Sequence, residues 1–490
     1  MLFALSYGMT EREKIIMFYV KPKSYTMRKI LILAVIVALA GNVMASTEAK
    51  DTSKVKTGWN FGILPSVAYD ADLGFQFGAL SNIYYYGDGS QYPEYIHSFY
   101  VEAAYTTKRY GLFRFFYDSK YLIPDHRLTI DVSYLPDAMC DFYGYNGYPT
   151  LYHMGWHNAK RDSSEYLSRA FYKYKRDLVR VAADIEGTIS GNWKWNAGLG
   201  VLGYMIDECD IDMLNGKRQP TDRKYLDPTV QGLYELYRSW GIIKPDEANG
   251  GWHPYLRGGI TFDSRDKRSN PSRGIYADAF FTYSAAFGNQ TEYNHLKFNF
   301  NFRQYVPIYK DRVTFAYRIG TQNTIAGESP FYMNTYLNTL FIQRVIYEGL
   351  GGGNSLRGIM RNRILANGFA YANVELRTKI VTFDIGKQHF YIGLNPFFDL
   401  GVVTQPYKLD ETELRTAITA NNTATGRTDK YEDYFNLSKK ETYMPHSAAG
   451  IGLKVAMNEN FILSVDWATA INKQDNGKMM NFYVKMGYLF

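Results

Sequence analysis

Cysteine is nearly absent, with only Cys140 and Cys209 in 490 residues. Two thiols cannot build a disulfide scaffold. Both fall in expected loops, and a pairing between them in an oxidising compartment stays open. Long apolar runs are missing too. Beyond residue 45 nothing approaches the ~20 residues a membrane-spanning helix needs. Basic blocks and nucleic-acid motifs are lacking despite a formal net charge of +7, so nucleic acid is not an expected partner and the charge reads as scattered over surface and lumen.

Signals of enzymatic chemistry are also lacking. There is no Gly-x-Ser-x-Gly nucleophile motif, and no glycine-rich run ends in the Gly-Lys-Ser/Thr of a phosphate-binding loop. His153 and His157 stand four apart, but in an expected loop and without the intervening glutamate of a metal-binding helix. The acids Asp207, Glu208, Asp210 and Asp212 read as a solvated loop. No cofactor or metal is expected, and the chain does not read as an enzyme.

Present in quantity are 44 Tyr, 30 Phe and 42 Gly. Mean hydropathy is −0.32 although 46% of residues are hydrophobic, so the apolar residues are dispersed. A spanning barrel strand needs only ~10 residues with one apolar face, and dispersed aromatics suit that requirement.

At the N-terminus, Ile30–Ala40 is a short apolar run preceded by Lys21, Lys23, Arg28 and Lys29 and followed by Val43-Met44-Ala45. This is the pattern of a secretory signal peptide over residues 1–45, cleaved before Ser46. Met27 would start a more ordinary signal than Met1 does. Residues 46–57 form a short polar periplasmic lead-in, and 58–490 is the expected barrel.

Period-two alternation recurs through that region. Leu296, Phe298, Phe300 and Phe302 alternate with Lys297, Asn299, Asn301 and Arg303. Leu128, Ile130, Val132 and Tyr134 alternate with Thr129, Asp131 and Ser133. Val313 to Ile319 and Phe461 to Trp467 repeat the pattern. One face in lipid and one in a wet lumen demands this arrangement, because successive side chains point to opposite faces. The strands look long, and aromatics such as Tyr84, Tyr85 and Tyr86 gather at strand ends as interfacial girdles do. Phe482, Val484, Met486, Tyr488 and Phe490 read as one apolar face running to the last residue, with Tyr488 and Phe490 as a C-terminal assembly signal. The fold class is therefore all-β, a transmembrane antiparallel barrel of about sixteen strands. Long connections are expected over 137–164, 206–251, 322–361 and 405–445, and 166–189 is either one strand or two.

The most informative segment runs from Gly349 to Ile359 and contains Gly352, Gly353, Leu356, Arg357 and Gly358. The strand after it alternates Ala372, Val374 and Leu376 against Asn373, Glu375 and Arg377, and the polar set must face inward because charge in lipid is costly. In the next strand Leu394, Phe398, Leu400 and Val402 face lipid, so Phe397, Asp399 and Gly401 face the lumen. A loop folded into the barrel would set Arg357 against Asp399 with Glu375 nearby, a pairing with the geometry to lock it.

These residues resemble the lid-loop motif of the BamA/TamA superfamily of outer-membrane barrels, with Leu356 in place of a valine and Ile359 in place of an aromatic. Phe397, Asp399 and Gly401 match the superfamily's Phe-x-Asp-x-Gly strand, whose acid typically receives the loop arginine. Asp263, Arg265 and Asp266 followed by Pro271 and Gly274 are similar to its turn motif, and Asp141 to Asn146 to an earlier loop motif. The resemblance spans most of 60–490 and implies sixteen strands, an inward-folded arginine-tipped lid, and a seam between first and last strands. It implies an insertase or translocase assisting the assembly or export of outer-membrane or surface proteins, or of lipid. Outer-membrane lipid and unfolded outer-membrane protein clients are the implied partners. Members that assemble proteins carry periplasmic POTRA domains, and some others a patatin-like lipase. Neither is recognised here, so client capture would fall to a separate periplasmic accessory protein. Two other functions fit the same residues: a passive or gated pore for small solutes, and a surface enzyme or adhesin built on the long loops.

Overall fold

A computed structural model describes residues 55–490 except 161–163, 223, 269, 287–291, 311, 341–348, 387, 459–460 and 477–478. The expected signal peptide and residues 46–54 of the lead-in lie outside the described residues.

Eighteen antiparallel segments form one sheet, and they make sixteen strands because two strands are each interrupted once. The strands are β1 (Trp59–Pro65, resuming at Ala68–Asp70), β2 (Gly74–Tyr85), β3 (His97–Thr106), β4 (Gly111–Ile123), β5 (His126–Asp141), β6 (Lys173–Ser190), β7 (Trp193–Asp207) and β8 (Gly250–Asp263). There follow β9 (Gly274–Ser284), β10 (His295–Tyr309), β11 (Val313–Gly327), β12 (Gly368–Thr378, resuming at Val381–Ile385), β13 (Gln388–Gln405), β14 (His446–Met457), β15 (Phe461–Ala470) and β16 (Met480–Met486). Each pairs with its chain neighbours, and the segment from 166 to 189 contributes the single strand β6.

Burial is inverted relative to a water-soluble protein. Thr129, Asp131 and Ser133 are buried while Val132 and Tyr134 are exposed. In β10 Lys297 and Asn299 are buried, and in β15 Ser464 and Asp466. Leu256 and Ile260 stand out of the wall. Apolar out and polar in is the arrangement lipid imposes on a closed sheet, whose backbone groups must all be paired. The lumen is packed with ion pairs: Asp131 receives both Arg114 and Arg180, Arg127 pairs with Asp118, and Arg257 with Asp184.

The long connections, 142–172, 208–249, 328–367 and 406–445, all leave one end of the barrel, the extracellular end in this class. They pack on one another through an aromatic cluster that includes Phe142, Tyr145, Phe171, Tyr234, Tyr237, Phe331, Tyr434 and Phe435. Short helices stiffen it, among them Leu233–Ser239 and Glu411–Thr425.

Three expectations need correction. Cys140 lies in β5 rather than in a loop, and both cysteines are buried and form no disulfide with each other. His153 and His157 flank a short helical turn, Met154–His157, where each ring engages a different partner: the Asp433 carbonyl for His153 and the Tyr152 hydroxyl for His157. The last strand does not run to the C-terminus. It ends at Met486, Gly487 takes φ +82°, and the chain turns so that Leu489 and Phe490 are buried against Tyr305 and Ala316. A left-handed backbone costs a residue with a Cβ roughly 1–2 kcal/mol, which is why the turn falls on glycine.

That turn shapes the junction that closes the ring. β16 meets β1 through one residue pair, Val484 opposite Tyr69. In that register Met486 would lie opposite Val67, so β16 ends before it reaches Pro65. Trp59–Pro65 pairs with β2 on one side and projects Trp59, Phe61 and Ile63 outward, Phe61 being 74% exposed.

Candidate functional site

The strand alternation brings three carboxylates to one level of the lumen. Glu375 on β12, Asp399 on β13 and Asp466 on β15 are fully buried. The connection 328–367 enters from the extracellular end and delivers Arg357 to them, also fully buried. Arg357 Nε and Nη2 donate to the two oxygens of Asp399, each at 2.9 Å, and its own backbone N–H donates to the same carboxylate at 2.9 Å. Nη1 donates to Glu375 at 2.7 Å and lies 3.7 Å from Asp466. The guanidinium sits 3.5 Å over the centre of the Phe397 ring. This is a bidentate, charge-assisted contact with a stacking platform, the combination for which arginine and lysine are not interchangeable.

Apolar packing fixes the same segment. Leu350, Leu356, Ile359 and Ile364 are fully buried with Phe369 and Val403. A Cβ on Gly401 would come within 2.6 Å of Leu356, so glycine there lets the loop seat against β13. Asn373 and Arg318 both donate to the Ser355 carbonyl. Of the residues singled out in the sequence, Leu356, Arg357, Gly358, Glu375, Phe397, Asp399 and Gly401 thus come together.

Gly353 forms the rim of this site at the β16–β1 junction, and Gly352 beside it lies against Arg361. Lys485 of β16 donates to the Gly353 carbonyl at 2.7 Å, and the Gly358 N–H donates to the Tyr483 hydroxyl at 3.1 Å. A Cβ on Gly353 would lie 2.6 Å from Asp70 of β1 and 2.7 Å from Tyr483 of β16. The arginine-bearing loop therefore touches both strands of the junction.

The remaining motifs fall elsewhere. Asp141 to Asn146 packs on the outer part of the same loop: Arg361 bridges Asp141 and Asp137, and the Asn146 N–H donates to the Leu365 carbonyl. The turn motif lies at the opposite, periplasmic end. There Arg265 clasps Asp263 through two bonds, Asp266 accepts from Ser272 and nearby backbone N–H groups, Pro271 is buried, and Gly274 has φ +101°. Tyr488 and Phe490 stack on Arg377, a neighbour of Glu375 in the lumen.

Several residues of the site went unread in the sequence. Asp466, Ser464 and Lys454 form a buried polar set whose apolar partners, Phe461 to Trp467, had already been assigned to lipid, so the alternation itself carried the signal. Arg363, bonded to the Gly147 and Thr150 carbonyls, had no local signal.

Residues 97–490 match the model of the Omp85 superfamily domain. The chain belongs to the Omp85 superfamily. It is an outer-membrane β-barrel crossing the membrane many times. No curated protein matches the sequence. Among solved structures, this superfamily member is similar to BamA from Haemophilus ducreyi lacking POTRA domains 1–3, at 15% identity and TM-score 0.48, covering 88% of this chain and 70% of that one. It is also similar to CdiB from Escherichia coli, at 11% identity and TM-score 0.49, covering 89% of this chain and 64% of that one.

Proposed function

We propose that this Omp85 barrel is an insertase or translocase that passes a polypeptide strand, or lipid, through the junction of β16 and β1, receiving it from a separate periplasmic partner. The observation that carries this reading is the single residue pair holding that junction, beside a stretch of β1 that β16 does not reach. An unpaired strand edge offers a row of N–H and C=O groups that templates another strand. In lipid those groups have no water to bond, so an incoming strand gains pairing that the membrane cannot supply. Arg357 does no chemistry in this reading. It anchors a lid whose rim rests on Lys485 and Tyr483, so loop and junction move together.

The packed lumen supports this reading over that of a solute pore. Among the described residues, the lumen level of Arg357 is filled by buried side chains, the aromatic loop cluster lies above it, and the chain end beyond Gly487 lies below.

The test is depletion of the protein followed by rescue with a variant whose junction can be locked. Tyr69→Cys with Val484→Cys places two thiols at directly opposed positions of an antiparallel pair, within disulfide reach. The expected outcome is loss of a defined set of barrels or surface proteins on depletion, restored by the reduced variant and not by the oxidised one. Equal rescue by the locked form would reject passage through this junction, and an unchanged outer-membrane proteome would reject protein clients.

A further inference from the structure

The periplasmic mouth contains a cavity of about 220 Å³ that the Arg357 site does not use. Its described lining includes five cations, Lys267, Arg273, Arg312, Arg377 and Lys379, against one carboxylate, Asp266. Asp266 offsets only one of these charges, and both its oxygens are taken up by its own turn: Oδ1 accepts from the Lys267, Ser272 and Arg273 N–H groups and Oδ2 from the Ser272 hydroxyl. The turn is held over the mouth by buried Asn270, which donates to the Tyr391 hydroxyl at 3.1 Å.

Arg377 gives the cavity its direction. Its side chain is 4% exposed. Nε donates to Glu375 at 2.9 Å and Nη2 to the main-chain oxygen of Phe490 at 2.6 Å. Nη1 is buried and has no hydrogen-bond partner. A buried unsatisfied guanidinium nitrogen is costly, and such groups in native structures call for an explanation. Arg377 lines the cavity with two arginines from the turns, Arg273 and Arg312, both exposed at the rim. Planar forks converging on a small polar space suit a tetrahedral oxyanion, which accepts several N–H bonds at once.

We propose that this cavity binds the phosphate group of a small ligand, either free or carried as the headgroup of a glycerophospholipid. The bound phosphate accepts from Arg273 and Arg312 at the rim and sits against Arg377 in the inner wall. Because Arg377 and Arg357 share Glu375, an occupant sits two side chains away from the lid anchor.

The experiment is a titration of the purified full-length barrel in nonionic detergent at physiological salt, which screens loose surface binding. The probes are inorganic phosphate, dihexanoyl phosphatidylglycerol and an acidic peptide, with tyrosine and tryptophan fluorescence and native mass spectrometry as readouts. Arg273→Gln with Arg312→Gln alters only turn residues, so folding is expected to survive, and retained heat-modifiable gel mobility checks that. Saturable binding of phosphate, weakened about tenfold or more by the double substitution, supports the proposal with a free anion as ligand. Saturable binding of the phospholipid alone, weakened likewise, supports it with a headgroup as ligand. No saturable binding of either, binding indifferent to the two substitutions, or binding of the acidic peptide alone overturns it.

Discussion

Arg357 satisfies two carboxylates at once, so its removal strands both. Breaking one buried, hydrogen-bonded charge pair costs about 3–5 kcal/mol, because the abandoned charge stays buried. Arg357→Ala is therefore expected to free the 349–364 segment while the sheet, whose strands pair independently of it, stays folded. Limited proteolysis from the extracellular side would show new cleavage there, with heat-modifiable mobility unchanged. Arg357→Lys keeps the charge but loses the fork, and should fall between wild type and alanine in cleavage rate. An equal cleavage rate in all three would mean that the loop's remaining polar and apolar contacts hold it without Arg357. At this scale the sequence was readable wherever alternation assigns a face: once Leu394 and Phe398 point to lipid, Asp399 must point inward. It was unreadable where the partner is remote in the chain, as with Arg361 and Asp141 or Lys485 and Gly353.

The loops are expected to respond to pH through Glu247, at the end of the 208–249 connection. Its carboxylate accepts from the Phe331 N–H of the 328–367 connection at 2.9 Å. Burial raises its pKa from the ordinary 4.5 to about 7. A raised folded-state pKa means that the proton favours the docked arrangement. Docking is therefore strongest below about pH 4.5 and weakens as pH rises through about 7. Hydrogen exchange of 331–336 is expected to be slower at pH 5.5 than at pH 8, corrected for intrinsic rates, and Glu247→Gln should flatten the difference. A slope of opposite sign would remove Glu247 as the cause. Helix Glu411–Thr425 shows what was missed among elements. Asp410 caps it by accepting from the Glu413 N–H, and Gly426 ends it at φ +73°. Both signals were in the sequence, inside a stretch read only as a long connection.

At the scale of the whole molecule, stability in the membrane rests on the outward apolar band. Leu256, mid-strand in β8 and 62% exposed, faces lipid. Leu256→Arg should cost about 2–4 kcal/mol if it sits near the bilayer midplane, and refolding into lipid vesicles, read by heat-modifiable mobility, should fall accordingly. A neutral result would move that position to an interface. The architecture was legible from period two and chain length because lipid leaves so few solutions. The inward turn at Gly487 was not, since 482–490 alternates in sequence without a break and only the backbone shows that the last residues leave the wall.

The ion-paired lumen has a further consequence for the cell. Planar-bilayer recordings of the purified barrel are expected to show no stable open levels, and on that expectation its abundance is uncoupled from leakage. An organism can raise the number of copies without becoming more permeable to antibiotics or bile salts, provided each copy opens toward lipid and not along its axis.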